Sequence, residues 1–171
     1  MSEGQGFLTG VVVVLMVWAV CLLMSKAEKK SCSYDERQLL MRGKGFQYGF
    51  FTLMIYNMVY GAAYMDEMPS WCDNMTGNFI GIALALLVFG TYCIWNDAYV
   101  SLNQNPKRVY ILSSICAIVN LLVGIFNICD EEMIVDGRIT FHSVNILLAV
   151  VFAVFIVVFG LKNYRDSRET E

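Results

Sequence analysis

The chain has 171 residues, of which 57% are hydrophobic and only 16% charged, with a formal net charge of −3. Soluble domains carry about 25% charged residues, so this composition excludes a soluble globular enzyme and leaves room for one compact bundle in a bilayer. It also argues against a nucleic-acid partner, because the basic residues fall in short stretches without interleaved aromatics.

A helix that crosses a membrane needs about 20 mostly apolar residues to cover roughly 30 Å of hydrocarbon, and a helix satisfies its own backbone there. Five stretches fit: residues 7–24, 46–64, 79–95, 109–128 and 143–161. They predict an all-α integral membrane bundle in a single domain, 1–171, and within those limits no side chain is ionised.

The first stretch differs from a cleaved signal peptide, which has a basic leading region and a shorter apolar core. Here the positive charges follow the apolar run, so the segment is expected to stay as an anchor. Lys26, Lys29, Lys30, Arg37, Arg42 and Lys44 lie after it, Lys107 and Arg108 after the third stretch, and Lys162, Arg165 and Arg168 after the fifth. The other two loops carry Asp66, Glu67, Asp73, Asp130, Glu131, Glu132 and Asp136 against Arg138 alone. Basic loops stay in the cytoplasm. The N-terminus is therefore expected outside and the C-terminus inside, in a multi-pass protein of the cell membrane.

Between the first and second stretches, Ser33 and Glu36 fit a capping box. Asp35 and Glu36 place negative charge in the first helical turn, where the helix dipole favours it. A charged collar helix, 33–45, is expected to run on into the second span. Tyr34, Leu40, Met41 and Tyr48 give it a face suited to the bilayer interface before it turns inward at Gly43–Gly45. Its candidate contact residues are Asp35, Glu36, Arg37, Gln38, Arg42 and Lys44, with Arg37 placed to pair with Asp97. Three roles fit: a topogenic helix whose basic residues bind anionic lipid head groups at about 1 kcal/mol each, a docking face for a cytoplasmic or membrane protein, or a gate over the cytoplasmic mouth.

The run Asp35-Glu36-Arg37-Gln38, followed by Arg42-Gly43-Lys44-Gly45-Phe46 and an aromatic-rich span, resembles a group of small uncharacterised bacterial multispanning membrane proteins with a DERQ-type sequence before a span. The resemblance covers this stretch alone. It implies bacterial origin and a cytoplasmic-membrane location, and it carries no activity with it.

In the fourth stretch Ser113, Asn120 and Asn127 recur every seven residues, with Ala117 and Gly124 between them, so they share one helical face. Asn57, near the middle of the second stretch, is the natural partner for Asn120. Tyr56, Tyr60 and Tyr64, spaced by four, are placed to wall a polar pocket between those two spans. Such a pocket would make the protein a small-molecule permease or permease subunit; otherwise the amides are packing glue and the tyrosine row is part of an aromatic belt. Gly45 and Gly49, and Gly77, Gly81 and Ala85, form small-residue faces that allow close helix approach.

The six cysteines form no metal motif, and one histidine, His142, sits at an expected outer edge. No metal or cofactor is expected. Cys72 and Cys129 fall in the two outer loops, where oxidation is permitted, and are expected to bond if their Cα atoms come within roughly 7 Å. None of the short catalytic motifs is present. The expected function is that of a non-enzymatic accessory or regulatory membrane protein acting through lipid or protein contacts, with self-association open as one of them.

Overall fold

A computed structural model describes residues 33–65, 71–131 and 133–169. The expected first span, 7–24, lies outside the described residues. The chain divides into two compact units. Of the smaller, Ser33, Tyr34 and Ser101–Gln104 are described. There the Leu102 N–H donates to the Ser33 carbonyl at 2.8 Å, and the Ser33 N–H donates to Asn103 Oδ1 at 2.9 Å.

The described residues of the larger unit, Asp35–Val100 with Asn105 onward, are all-α apart from one small hairpin. Its helices are α1 (Glu36–Met65), α2 (Asn74–Trp95), α3 (Pro106–Cys129) and α4 (Val144–Glu169), the last entered through a 3₁₀ turn at Phe141–Ser143. The starts of α1, α2 and α3 each have a side-chain cap. Asp35 caps α1, its Oδ1 accepting from the Gln38 N–H at 2.6 Å. Asp73 caps α2 through the Thr76 N–H at 2.6 Å. Asn105 caps α3 through the Lys107 N–H, with Pro106 in the first turn, where its missing N–H costs nothing.

Among the described residues, three helices are long and apolar enough to cross a membrane: Asn74–Trp95, Pro106–Cys129 and Phe141–Arg168. α1 has 30 residues, about 45 Å at 1.5 Å each. It falls short in apolarity, because Gln47, Asn57 and a row of tyrosines and glycines dilute the run 46–64. The expectation of five crossing helices is thus met by three among the described residues. α1 also runs unbroken from Glu36 to Met65, with no turn at Gly43–Gly45.

The packing order is α1 on α2, α2 on α4, and α4 on α3. Large side chains of one helix fill glycine notches of the next: Tyr60 covers Gly77, Tyr56 covers Gly81, Phe155 covers Gly90 and Ile146 covers Gly124. A Cβ on Gly45 would stand 2.9 Å from Cys93 Sγ, and one on Gly49 3.0 Å from the Ala85 carbonyl. Those pairings set α1 antiparallel to α2. The core, Ala83 and Ile94 with Val151 and Phe155, lies between α2 and α4.

Beyond α3, strands β1 (Ile134–Val135) and β2 (Arg138–Ile139) pair antiparallel. The turn Asp136-Gly137 has φ of 51° and 74°, the doubly positive conformation that Asp-Gly supplies in tight hairpins.

Candidate functional site

The motif Asp35-Glu36-Arg37-Gln38 closes on itself. Asp35 Oδ1 takes the Gln38 N–H, and Gln38 Oε1 in turn accepts from the Asp35 N–H at 3.3 Å. This is a capping box two residues further along than Ser33 and Glu36, the pair the sequence suggested. The Gln38 amide then reaches across to the segment that follows α2, where its Nε2 donates to the carbonyls of Asp97 at 2.6 Å and Val100 at 3.2 Å. One turn on, Arg42 Nη1 donates to the carbonyls of Ala98 at 3.2 Å and Tyr99 at 3.4 Å. Gln38 is only 8% exposed. The motif therefore splits: Asp35 and Gln38 hold the fold, whereas Glu36, Arg37 and Lys44 stay exposed.

The clasped segment is a Schellman turn. The Ala98 N–H returns to the Cys93 carbonyl at 2.8 Å and the Asp97 N–H to that of Ile94 at 3.3 Å, with Asp97 in the left-handed region at φ 56°. That conformation aims the Asp97 carboxylate at α4, where Lys162 Nζ donates to its Oδ2 at 2.8 Å and also meets Asp166 at 3.2 Å. The lysine side chain is 7% exposed and that of Asp97 56%. Asp97 thus pairs with Lys162 in place of the expected Arg37. Arg165 lies over the Trp95 ring, 4.7 Å from its centre. Burial against Phe155 and Phe159 raises the Tyr99 phenol above its ordinary range, opposed by the Arg42 charge.

At the opposite end, Asp73 does comparable work. Its second oxygen takes the Phe141 N–H at 2.7 Å, and its own N–H donates to the Ile139 carbonyl at 2.9 Å, so one carboxylate joins the starts of α2 and the 3₁₀ turn. The Thr76 backbone N–H holds that carboxyl below its usual value, helped by the Phe141 N–H and opposed by slight burial. Cys72 is buried beside Tyr60, whose hydroxyl is 3.7 Å from the sulfur. The expected Cys72–Cys129 disulfide is absent: both are free thiols, Cys72 enclosed and Cys129 exposed at the end of α3.

The remaining candidates do not converge. Asn57 is exposed and donates to the Leu53 carbonyl of its own helix at 2.9 Å. Asn120 likewise donates to Cys116 at 2.8 Å. Asn127 reaches the His142 carbonyl at 2.8 Å, and Ser113 is buried on the face of α3 that meets α4. The stripe does look inward, but toward α4, because α2 and α4 stand between α1 and α3 in the packing order. Tyr56 and Tyr60 fill α2's glycine notches, the Tyr56 hydroxyl donating to the Gly77 carbonyl at 2.7 Å. Among the described residues no three His, Cys, Asp or Glu side chains gather as a metal site. Comparison of the chain with family models, curated proteins and solved structures gave no match.

Proposed function

We propose that the chain is a five-crossing protein of a bacterial cytoplasmic membrane, N-terminus outside and C-terminus inside. It works as an accessory or regulatory component through lipid and protein contacts, without catalysis. The carrying observation is how polar side chains are spent. Gln38, Arg42, Asp73, Asp97 and Lys162 all bond within the bundle, whereas the outer faces of α1 and α3 expose long apolar side chains such as Phe46, Phe50, Met58, Leu112, Ile118 and Phe126. Surfaces of that extent suit lipid or another protein.

The fourth and fifth crossings rest on different arguments. α1 lies antiparallel to α2, from Arg42 beside Ala98 to Tyr60 in the Gly77 notch, and so extends through the same thickness. Residues 7–24 have the length and apolarity of a span. The orientation follows from the basic loops, and the bacterial assignment from the DERQ resemblance.

Glu36, Arg37 and Lys44 form the contact surface at the basic end. The test is affinity purification after mild crosslinking in cells, comparing the parent with Glu36→Ala, Arg37→Ala, Lys44→Ala at matched membrane levels. That triple variant leaves the Asp35–Gln38 cap intact, so a lost partner reports the surface and not the fold. The same protein background from both would remove the docking role and leave Arg37 and Lys44 as lipid-facing charges.

A further inference from the structure

The face of α1 that meets α2 carries Gln38, Arg42, Gly45, Gly49, Tyr56 and Tyr60. One residue along from each of these, and so about 100° around the helix, runs a second stripe: Leu39, Gly43, Phe46, Phe50, Asn57 and Gly61. Every member is exposed. A Cβ built on Gly43 or Gly61 meets nothing within 4 Å. Gly43, Phe50 and Asn57 recur at seven residues, the repeat of helices that pack along a seam.

Asn57 indicates what covers this stripe. Its amide Nδ2 donates to the Leu53 carbonyl, which leaves one N–H and the carbonyl oxygen on an apolar face near the middle of the stretch 46–64. Acyl chains satisfy neither. A second helix does so only if it brings an amide or hydroxyl to the same depth. Residues 7–24 contain no Asn or Gln, and their one hydroxyl, Thr9, stands at the end of the run and not at its middle. Asn120 lies on α3, which packs on α4, and α2 and α4 stand between it and α1. An identical copy of α1, related by a two-fold axis along the membrane normal, places Asn57 opposite Asn57 by symmetry. A carboxamide is both donor and acceptor, so it is its own complement. Gly43 and Gly61 let the two backbones approach on either side of that pair.

We propose that the protein self-associates as a parallel dimer through this stripe of α1, with a hydrogen-bonded Asn57 pair at its centre. The inference deepens the contact role proposed above. It uses a different surface from Glu36, Arg37 and Lys44, so each can fail without the other. Glu36 falls seven residues before Gly43 and brings like charges together at the watery end, where solvent and salt screen them.

The test is energy transfer between donor- and acceptor-labelled full-length protein in phosphatidylcholine vesicles, diluted over a range of protein-to-lipid ratios. The parent should dimerise, and Asn57→Leu should weaken the dimer by between about threefold and thirtyfold, the range of an interhelical hydrogen bond in lipid. Gly61→Leu should weaken it further. Ile55→Ala, off the stripe, should leave it unchanged. Because none of these residues fills the α1–α2 interface, an unaltered helical circular dichroism spectrum separates lost association from lost folding. A parent that stays monomeric throughout, or a dimer indifferent to both Asn57→Leu and Gly61→Leu, overturns the proposal. So does a monomeric parent that co-purifies with a different protein in an Asn57-dependent way, which would assign the stripe to that protein.

Discussion

Gln38 shows how much one side chain settles here. A capping box accepts Glu or Gln at its last position, but this position also has to donate, because Nε2 serves the carbonyls of Asp97 and Val100. Glutamate keeps the acceptor for the Asp35 N–H and loses both donations, setting a carboxylate against two carbonyl oxygens at a site 8% exposed. Gln38→Glu should therefore lower stability by about 1–3 kcal/mol, the cost of buried acceptors left without donors. Thermal unfolding in detergent or lipid discs measures it; an unchanged midpoint would mean that the donations to 97 and 100 do not hold the segment. Part of this was legible in the sequence. Acidic residues before a helix with Gln three positions later announce a cap, yet Ser33 three positions before Glu36 announces one equally well. What chose Asp35 is the contact of Gln38 with a segment some sixty residues away, and no local pattern encodes that. The Asp136-Gly137 hairpin is the opposite case: Asp-Gly between Ile-Val and Arg-Ile is a local turn signal that needs no distant partner.

Among elements, α2, α3 and α4 followed from apolar length alone, and their ends moved with their caps. α2 starts at Asn74, ahead of the expected Phe79, because Asp73 caps it. α4 runs to Glu169, past the expected Leu161, because Lys162 and Asp166 sit one turn apart and share charge. The neighbour of each helix could not be read. Asn57 and Asn120 are matched in depth, but depth does not decide adjacency, and glycine notches matched to Tyr56, Tyr60 and Phe155 give α2 to α1 and α4. At the joint of α2 with α4, Lys162 is buried while Asp97 and Asp166 are largely in water. Asp97→Asn preserves tolerance of the left-handed backbone and leaves Asp166 as the lysine's acid partner. It should cost about 1 kcal/mol, since the lost charge is screened by its exposure. Lys162→Met removes the buried cation while keeping an apolar stem, and should match or exceed the parent in stability. Unfolding midpoints of the two variants, measured together, check the order; a more damaging Lys162→Met would show that the ammonium itself holds the joint.

For the whole molecule, its two ends differ in chemistry, and the native thiols can report which end faces which compartment. The polar joint of Gln38, Arg42, Asp97 and Lys162 lies with the basic segments, the Asp73 joint with the acidic loops, and Cys129 is exposed at the acidic end. With the N-terminus outside, an impermeant maleimide should label Cys129 in right-side-out vesicles without prior reduction, while Cys72 and Cys93, both buried, stay unlabelled until the protein is denatured. In inverted vesicles Cys129 should be protected and Cys32, in the basic first loop, should react instead. Cys129→Ser and Cys32→Ser assign each signal. Labelling of Cys129 only in inverted vesicles would reverse the orientation and place the basic residues outside, against the charge rule that set it. A requirement for reductant before Cys129 reacts would restore a disulfide at that end. If both sites label from the same side, the number of crossings between them is even and not three. The second crossing would then be the one to give up, since α1 alone among the described helices falls short in apolarity.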